Sequence, residues 1–394
     1  ERNIIIGHEA GRNATSLNFS TIIGNAAGYN VSGASEVVYI GRNAGYHVTG
    51  NENTFVGTSA GIGQAAATHA TQGSVAIGEN AMYYNSTANY NVAIGQSAMV
   101  GKATTPWLTG DNNVAVGREA MKNASTANLN VAVGYQAMYD STEAAESVAI
   151  GGYAAGDMTT GKYNTAVGYT ALRSGTTTNR NTAIGYAAMN KYTQAGDTYN
   201  VAVGMYAMQN VQTGSSNVAI GYTALAGVAG NDMDYNIAIG AQALYSNTTG
   251  DNNVGVGRNA LFANTEGEEN TALGTQAGEN VTTGEDNVFV GFEAGSGITT
   301  GQDNTIVGSK AGSQMSAGDS NNAFFGERAG YNNAGGNYNT FIGRRAGYNV
   351  TSGDSNVFVG NGAGPSSTST DSDKLYIHNE EGTPLIGGDF SAFQ

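Results

Sequence analysis

The sequence predicts an all-β fold: a parallel β-solenoid (β-roll) of about 21 coils of 17 residues. Three observations predict it. A strand-like pentad ending in Gly recurs 21 times, from Gly7 through Gly24 and Gly41 to Gly360, and fourteen of its twenty intervals are 17 residues long. Ala stands three residues after that Gly in all 21 copies, from Ala10 to Ala363, and Asn stands four before it in 17 of them. Gly makes up 59 of 394 residues without a three-residue period, and Pro only 3, which sets the chain apart from collagen and from Pro-rich disorder.

Each part of a coil follows from residue type, with positions counted from the Gly. Positions −3 and −1 are two apart, so they share one strand face, and their Val, Ile and Thr side chains are expected to point inward. Ile77, Val116, Ile150, Ile220 and Val290 are therefore the expected structural core. The Gly lets the chain turn at positive φ after the strand, which makes Gly78, Gly95, Gly134, Gly221 and Gly291 the expected repeat turns. Ala at +3 leaves room where two walls of a thin coil meet. Asn at −4 comes once per coil, and stacked coils would line these amides into a hydrogen-bonded ladder. The segments from +6 to −6, such as 246–252, are rich in Thr, Gly, Asn and Asp and read as turns. Longer intervals insert there; the longest, of 22 residues, holds Thr104 to Thr109 with Pro106 and the only Trp, Trp107. Helical repeats need units of roughly 30 residues or more, too long for this period.

Positions −2 and +4 exchange bulk. Nine copies pair a large −2 residue with Gly at +4, as in Phe55 with Gly61 and Phe341 with Gly347. Ten pair Ala or Gly at −2 with Met or Leu at +4, as in Ala76 with Met82. Ala149 with Ala155 and Ala272 with Gly278 break the rule. Paired exchange of this kind implies contact in a packed space. Because −2 lies on the strand face opposite −1 and −3, it is expected outside the coil's own core, buried by sister chains of a homotrimer. Phe55, Met82, Met138, Leu244, Phe289 and Phe341 are the expected trimer seam. The exchange divides the repeat shaft, 1–364, into blocks at about 1–64, 65–264 and 265–364, followed by a non-repeat segment, 365–394.

Composition narrows the function classes. A net charge of −15 disfavours nucleic acid and anionic membrane surfaces. Without Cys there is no disulfide or thiolate chemistry. No apolar run of 18 residues is present, so no membrane insertion is expected of this chain. The repeat is already under way in residues 1–7, so a leader or anchor upstream and a module downstream are expected outside this sequence.

The pentads Asn91-Val-Ala-Ile-Gly95, Asn181-Thr-Ala-Ile-Gly185 and Asn217-Val-Ala-Ile-Gly221 resemble the head repeats of trimeric autotransporter adhesins and related repeats of bacteriophage tail fibres. The resemblance covers residues 1–364. It implies a left-handed β-roll with three chains to a rod, although family coils are often shorter. The segment from Lys374 to Phe390 is similar to the tract that follows such repeats in fibre proteins. The expectation is a non-enzymatic extracellular fibre, a phage tail fibre or similar virion or cell-surface appendage. The alternatives are a bacterial trimeric surface adhesin and, further off, a tailspike-type glycan hydrolase or an ice-binding solenoid.

Motifs that could carry chemistry have plainer readings. Gly255-Val-Gly257-Arg-Asn-Ala260 and Gly61-Ile-Gly63-Gln-Ala-Ala66 imitate dinucleotide loops, but no βαβ unit surrounds them. His8, His47, His69 and His378 show no ligand spacing. Asp251, Glu285, Asp286, Asp303, Asp319 and Asp354 recur in turns and read as solvated residues. No catalytic residue, metal or cofactor is expected. The 22 Tyr residues, among them Tyr29, Tyr46, Tyr83 and Tyr139, either stack on sugars or cover turns and chain contacts. A surface receptor or glycan is thus an expected but unidentified partner. The Thr pairs at 248–249, 282–283 and 299–300 are the residues an ice-binding face would use.

Overall fold

A computed structural model describes residues 2–63, 70–101, 107–227, 232–379 and 384–393. The chain is an all-β parallel solenoid of about 21 turns, and no α-helix occurs among the described residues. It forms two compact units. Residues 1–199 hold eleven rungs, those closed by Gly7 to Gly185, and residues 200–394 hold ten, closed by Gly204 to Gly360. The unit boundary does not coincide with a change of core chemistry, since Met and Leu rungs occur in both units. No described helix is long and apolar enough to cross a membrane.

Each rung contributes one three-residue strand, and within each unit successive strands pair in parallel with like positions opposite. Ile5 faces Ile22, Ala76 faces Ala93, and Phe341 faces Phe358. Where the interval is longer the register holds: Phe55 still faces Ala76, and Ala93 faces Ala115. The additional residues therefore leave the ladder unchanged. They include 64–69 and 102–106, so Thr104, Pro106 and His69 lie outside the described residues. The opposite side of the rung pairs more sparsely, through bridges such as Asn18 with Ser35 and Asn128 with Ala145.

The strand faces are the reverse of the sequence expectation. Ile77, Ile150 and Ile220 are about two-fifths exposed (39, 41 and 39 %), and Val116 and Val290 are half-buried. Phe55, Met82, Met138, Leu244, Phe289 and Phe341 are 0 % exposed within the single chain. They form its core and cannot line a seam between chains. The reason is geometric. A strand of three residues has one central position to turn inward, and −2 is that position. The ends, −1 and −3, turn outward, and the interior is completed by Ala at +3, the +4 residue and Asn at −4.

Contact between −2 and +4 is direct. A Cβ built on Gly330 would lie 2.3 Å from the Phe324 ring, and one on Gly347 2.3 Å from Phe341. Bulk at one position therefore excludes bulk at the other. The exception at Ala272 and Gly278 has its own cause. Gly278 sits where the Leu column ends and the Phe column begins, so its Cβ would meet both Leu261 (3.0 Å) and Phe289 (2.6 Å). At the other exception, Ala155, Met158 three residues on is fully buried in the same rung.

The closing glycines turn at φ between +126° and +142°, a region in which side chains are strained. Gly134 stands at +138°, and a Cβ there would also lie 2.5 Å from the carbonyl oxygen of Gly151 in the next rung. The backbone then enters the left-handed region at +2 and +4. These kinks redirect the N–H groups so that the corner stays bonded to both neighbours. Ala26 N–H at +2 reaches back to His8 O (2.9 Å), and Gly28 N–H at +4 reaches forward to Ala44 O (2.8 Å).

The Asn ladder is buried. Asn270 donates its backbone N–H (3.0 Å) and its Nδ2–H (3.2 Å) to Oδ1 of Asn253, and Asn253 Nδ2 donates to Gly267 O (2.8 Å). The pattern repeats from rung to rung, as between Asn287 and Asn304. Ser147 fits the ladder because its Oγ accepts the Asn164 N–H (3.1 Å) in place of an amide oxygen.

The sheet continues past residue 364. Strand Lys374–Ile377 pairs in parallel with Val357–Val359, placing Tyr376 opposite Phe358 with rings stacked at 4.9 Å. Strand Ile386–Asp389 then folds back antiparallel, tied by Lys374 Nζ to Asp389 Oδ2 at 2.6 Å. Residues 380–383, within the tract likened to fibre proteins, lie outside the described residues.

Candidate ligand-contact surface

Side chains of the corner after each strand point away from the core, and aromatic residues collect there. Tyr135, Tyr153, Tyr169 and Tyr186 follow one another over four rungs with centroids 5.1, 5.7 and 5.6 Å apart. Arg118 caps Tyr135 at 5.5 Å and Arg173 caps Tyr153 at 5.1 Å. Further along the corner, Tyr29 stacks on Tyr46 (4.9 Å), Tyr331 on Tyr348 (5.3 Å), and Tyr245 on Phe262 (5.3 Å). Tyr139 lies under Lys122 Nζ, 5.5 Å from the ring centre. These rings cover the turns in register with the rungs beneath them.

One stretch of this surface is concave. In the unit of residues 1–199, a groove of about 550 Å³ runs between the +2 side chains Glu9 and Asn43 and the aromatic wall of Tyr46, His47, Tyr83 and Tyr84. A second hollow of about 340 Å³ lies on the other flank of Tyr83 and Tyr84, against Ser59, Asn80 and Ser97. The sequence reading singled out Tyr46 and Tyr83 but not the +2 row that faces them. The only sign of that row in the sequence is its polarity in successive copies. His47 Nδ1 lies 2.7 Å from Asn30 Nδ2, which fixes the ring in the wall.

Of the turn carboxylates, Asp251, Asp319 and Asp354 are structural acceptors, whereas Glu285, Asp286 and Asp303 are exposed. Asp251 Oδ1 accepts the backbone N–H of Asp234 (2.7 Å), and Asp354 Oδ1 accepts that of Asn337 (2.7 Å). They form a second ladder at −6, running opposite to the Asn ladder: each side chain accepts from the preceding rung, whereas Asn at −4 accepts from the following one. Asp319 is nearly buried and accepts from Ser316 N–H (2.7 Å) and Gly335 N–H (3.0 Å). Burial pushes its carboxyl above the ordinary Asp value, and those two N–H groups pull the other way. Among the described residues no three His, Asp or Glu side chains are grouped to hold a metal ion. His8 is exposed and His378 half-buried, on well-separated rungs. Gly255 and Gly257 are core and turn positions of one rung, and Gln64 to Ala66 lie outside the described residues. The Thr residues of the turns use their hydroxyls between rungs, as Thr248 Oγ1 does to Thr265 O (2.7 Å) and Thr282 Oγ1 to Thr299 O (3.0 Å).

No family model matches this chain, and no curated protein matches it.

Proposed function

We propose that this chain is a non-enzymatic structural fibre, a shaft of phage tail-fibre or adhesin type that carries attachment surfaces outside a cell or on a virion. Its unit is a 17-residue coil with insertions at one edge, and its assembly is a homotrimer. The observation that carries this reading is the rung-to-rung continuity of the buried Asn ladder and of the −2 and +4 columns. Every rung supplies the template for the next, as in a solenoid whose stability grows by neighbour contacts. The resemblance of the repeats to adhesin heads and tail fibres points the same way.

The trimer belongs on the strand face at −1 and −3. That face exposes Ile40, Ile94, Ile150, Ile184, Ile239 and Ile342, each more than a third accessible. A three-residue strand is about 10 Å wide and rungs step about 4.8 Å. The two units therefore offer together about 900 Å², close to the roughly 800 Å² per partner of a standard stable interface. Light scattering and particle imaging test the proposal: rods with the mass of three 40.2 kDa chains are expected, and a compact or monomeric particle contradicts it.

A further inference from the structure

We propose that the furrow flanking Tyr83 and Tyr84 binds an uncharged glycan chain laid along the direction in which the rungs stack. This deepens the attachment reading by assigning it a place and a ligand class.

The furrow arises from a gap in an aromatic column. At +5 successive rungs carry Tyr29, Tyr46, Ile62 and Tyr83, and at +6 the last three carry His47, Gly63 and Tyr84. Tyr29 and Tyr46 stack as neighbours at 4.9 Å. The Gly57 rung has Ile62 and Gly63 where its neighbours have Tyr and a second ring. Tyr46 and Tyr83 are thus two rungs apart, about 9.6 Å along the stack, and the smaller Ile62 and Gly63 line the hollow between them. Tyr83 and Tyr84 meet edge to face at 4.5 Å, giving that wall a fixed shape.

The facing wall is polar and uncharged over most of its length. Asn43, Ser59, Asn80 and Ser97 stand at +2 with φ between 55° and 60°, and in this geometry they line the hollows. Glu9 is the one carboxylate, and it is paired with Arg12. Among the described residues no Lys or Arg lines either hollow. A polymer that offers C–H faces to rings and hydroxyls to amides suits both walls. An anionic polymer finds no Lys or Arg among the described lining residues, the nearby Arg12 being already paired with Glu9, and meets a chain of net charge −15. An apolar peptide leaves the Asn and Ser groups unpaired.

The test uses the whole chain. Cellohexaose, chitohexaose, maltohexaose and a heparin hexasaccharide are titrated by saturation-transfer NMR and calorimetry. At least one neutral hexasaccharide is expected to bind. Tyr83→Ala should weaken it about tenfold, the worth of one lost stacking contact. Ile62→Tyr, which restores the missing ring, should weaken it at least as much while leaving the melting temperature unchanged. Tyr331→Ala, remote from the furrow, should leave binding intact. The proposal is overturned if no neutral hexasaccharide binds, if heparin binds more tightly than all three, or if Ile62→Tyr folds and binds as the parent does. Trimeric rods that bind no sugar would defeat this inference alone, whereas sugar binding by a monomer would defeat the trimeric shaft alone.

Discussion

At the residue scale, positions −5, +2 and +4 enter the left-handed region, and all three are non-glycine in most rungs that carry Met or Leu at +4. Tyr90, Ser97 and Met99 in successive parts of one turn have φ of 56°, 55° and 51°. Such residues cost about 1–2 kcal/mol each, and the rung ladder offsets them. Gln242 at +2, with φ 61° and a half-exposed side chain, should tolerate relief: Gln242→Gly is expected to raise the unfolding free energy by up to about 1 kcal/mol, read as a higher urea midpoint. Gly330→Ala acts in the opposite sense, because the added Cβ meets the Phe324 ring at 2.3 Å; a loss of about 2–3 kcal/mol is expected. Asn253→Ala removes the acceptor for two donors of Asn270 and should cost about 3 kcal/mol, whereas Asn253→Ser should cost clearly less, as Ser147 shows how a hydroxyl fits the ladder. Hydrogen exchange at Asn270 distinguishes the two. The Lys374 ammonium, with further hydrogen bonds from Ser391, holds the Asp389 carboxyl down at about 2. A depressed carboxylate contributes stability that is full above its unfolded value near 4 and is lost as pH falls toward 2. Exchange protection of the hairpin Lys374–Ile377 and Ile386–Asp389 should therefore fall across that window, while the Asn270 amide, held by the non-titrating Asn253 side chain, keeps its protection.

At the element scale, the rung and its neighbours were largely legible from spacing. Ala at +3, Asn at −4 and the bulk exchange of −2 with +4 are contact rules written into 21 copies, and all three describe real neighbours in the interior. What spacing could not say was which strand face is inside. Alternation defines two faces without labelling them. The β-branched residues at −1 and −3 had the composition of a core, while Ala76 or Ala149 at −2 had that of a thin surface contact. The left-handed turns were illegible for a related reason, since Glu, Tyr and Arg at −5 carry no mark of positive φ. The furrow was hidden because it consists of an omission, Ile62 and Gly63, in one rung of a column. The ends of a column are the sharpest test of this packing. Gly278→Met installs the residue that its partner Ala272 calls for, yet it should unfold the surrounding rungs because Leu261 and Phe289 already close the site. Limited proteolysis near residue 278 is the readout.

At the scale of the whole molecule, the inversion of the strand faces moves the proposed trimer contact. The aromatic and Met columns are satisfied within one chain, so the proposed trimer contact falls to the exposed Ile and Val of the outer strand face. Lys at Ile94, Ile150 and Ile184 together should reduce the light-scattering mass from three chains to one while the single chain keeps the parent's β-sheet circular dichroism, because each side chain is more than a third exposed within one chain. The measurement that bears most directly on the account compares two single variants at adjacent residues, Ala149→Lys and Ile150→Lys, by circular dichroism melting. Ala149 is 0 % exposed and Ile150 41 %. A Lys at 149 places an unpaired charge in the core and should abolish the cooperative melt around it, while a Lys at 150 should leave the chain folded and melting cooperatively, with a midpoint lowered only by what the proposed trimer contact contributes. The reverse result, with 149 tolerant and 150 destructive, would contradict the arrangement of the rung and everything built on it.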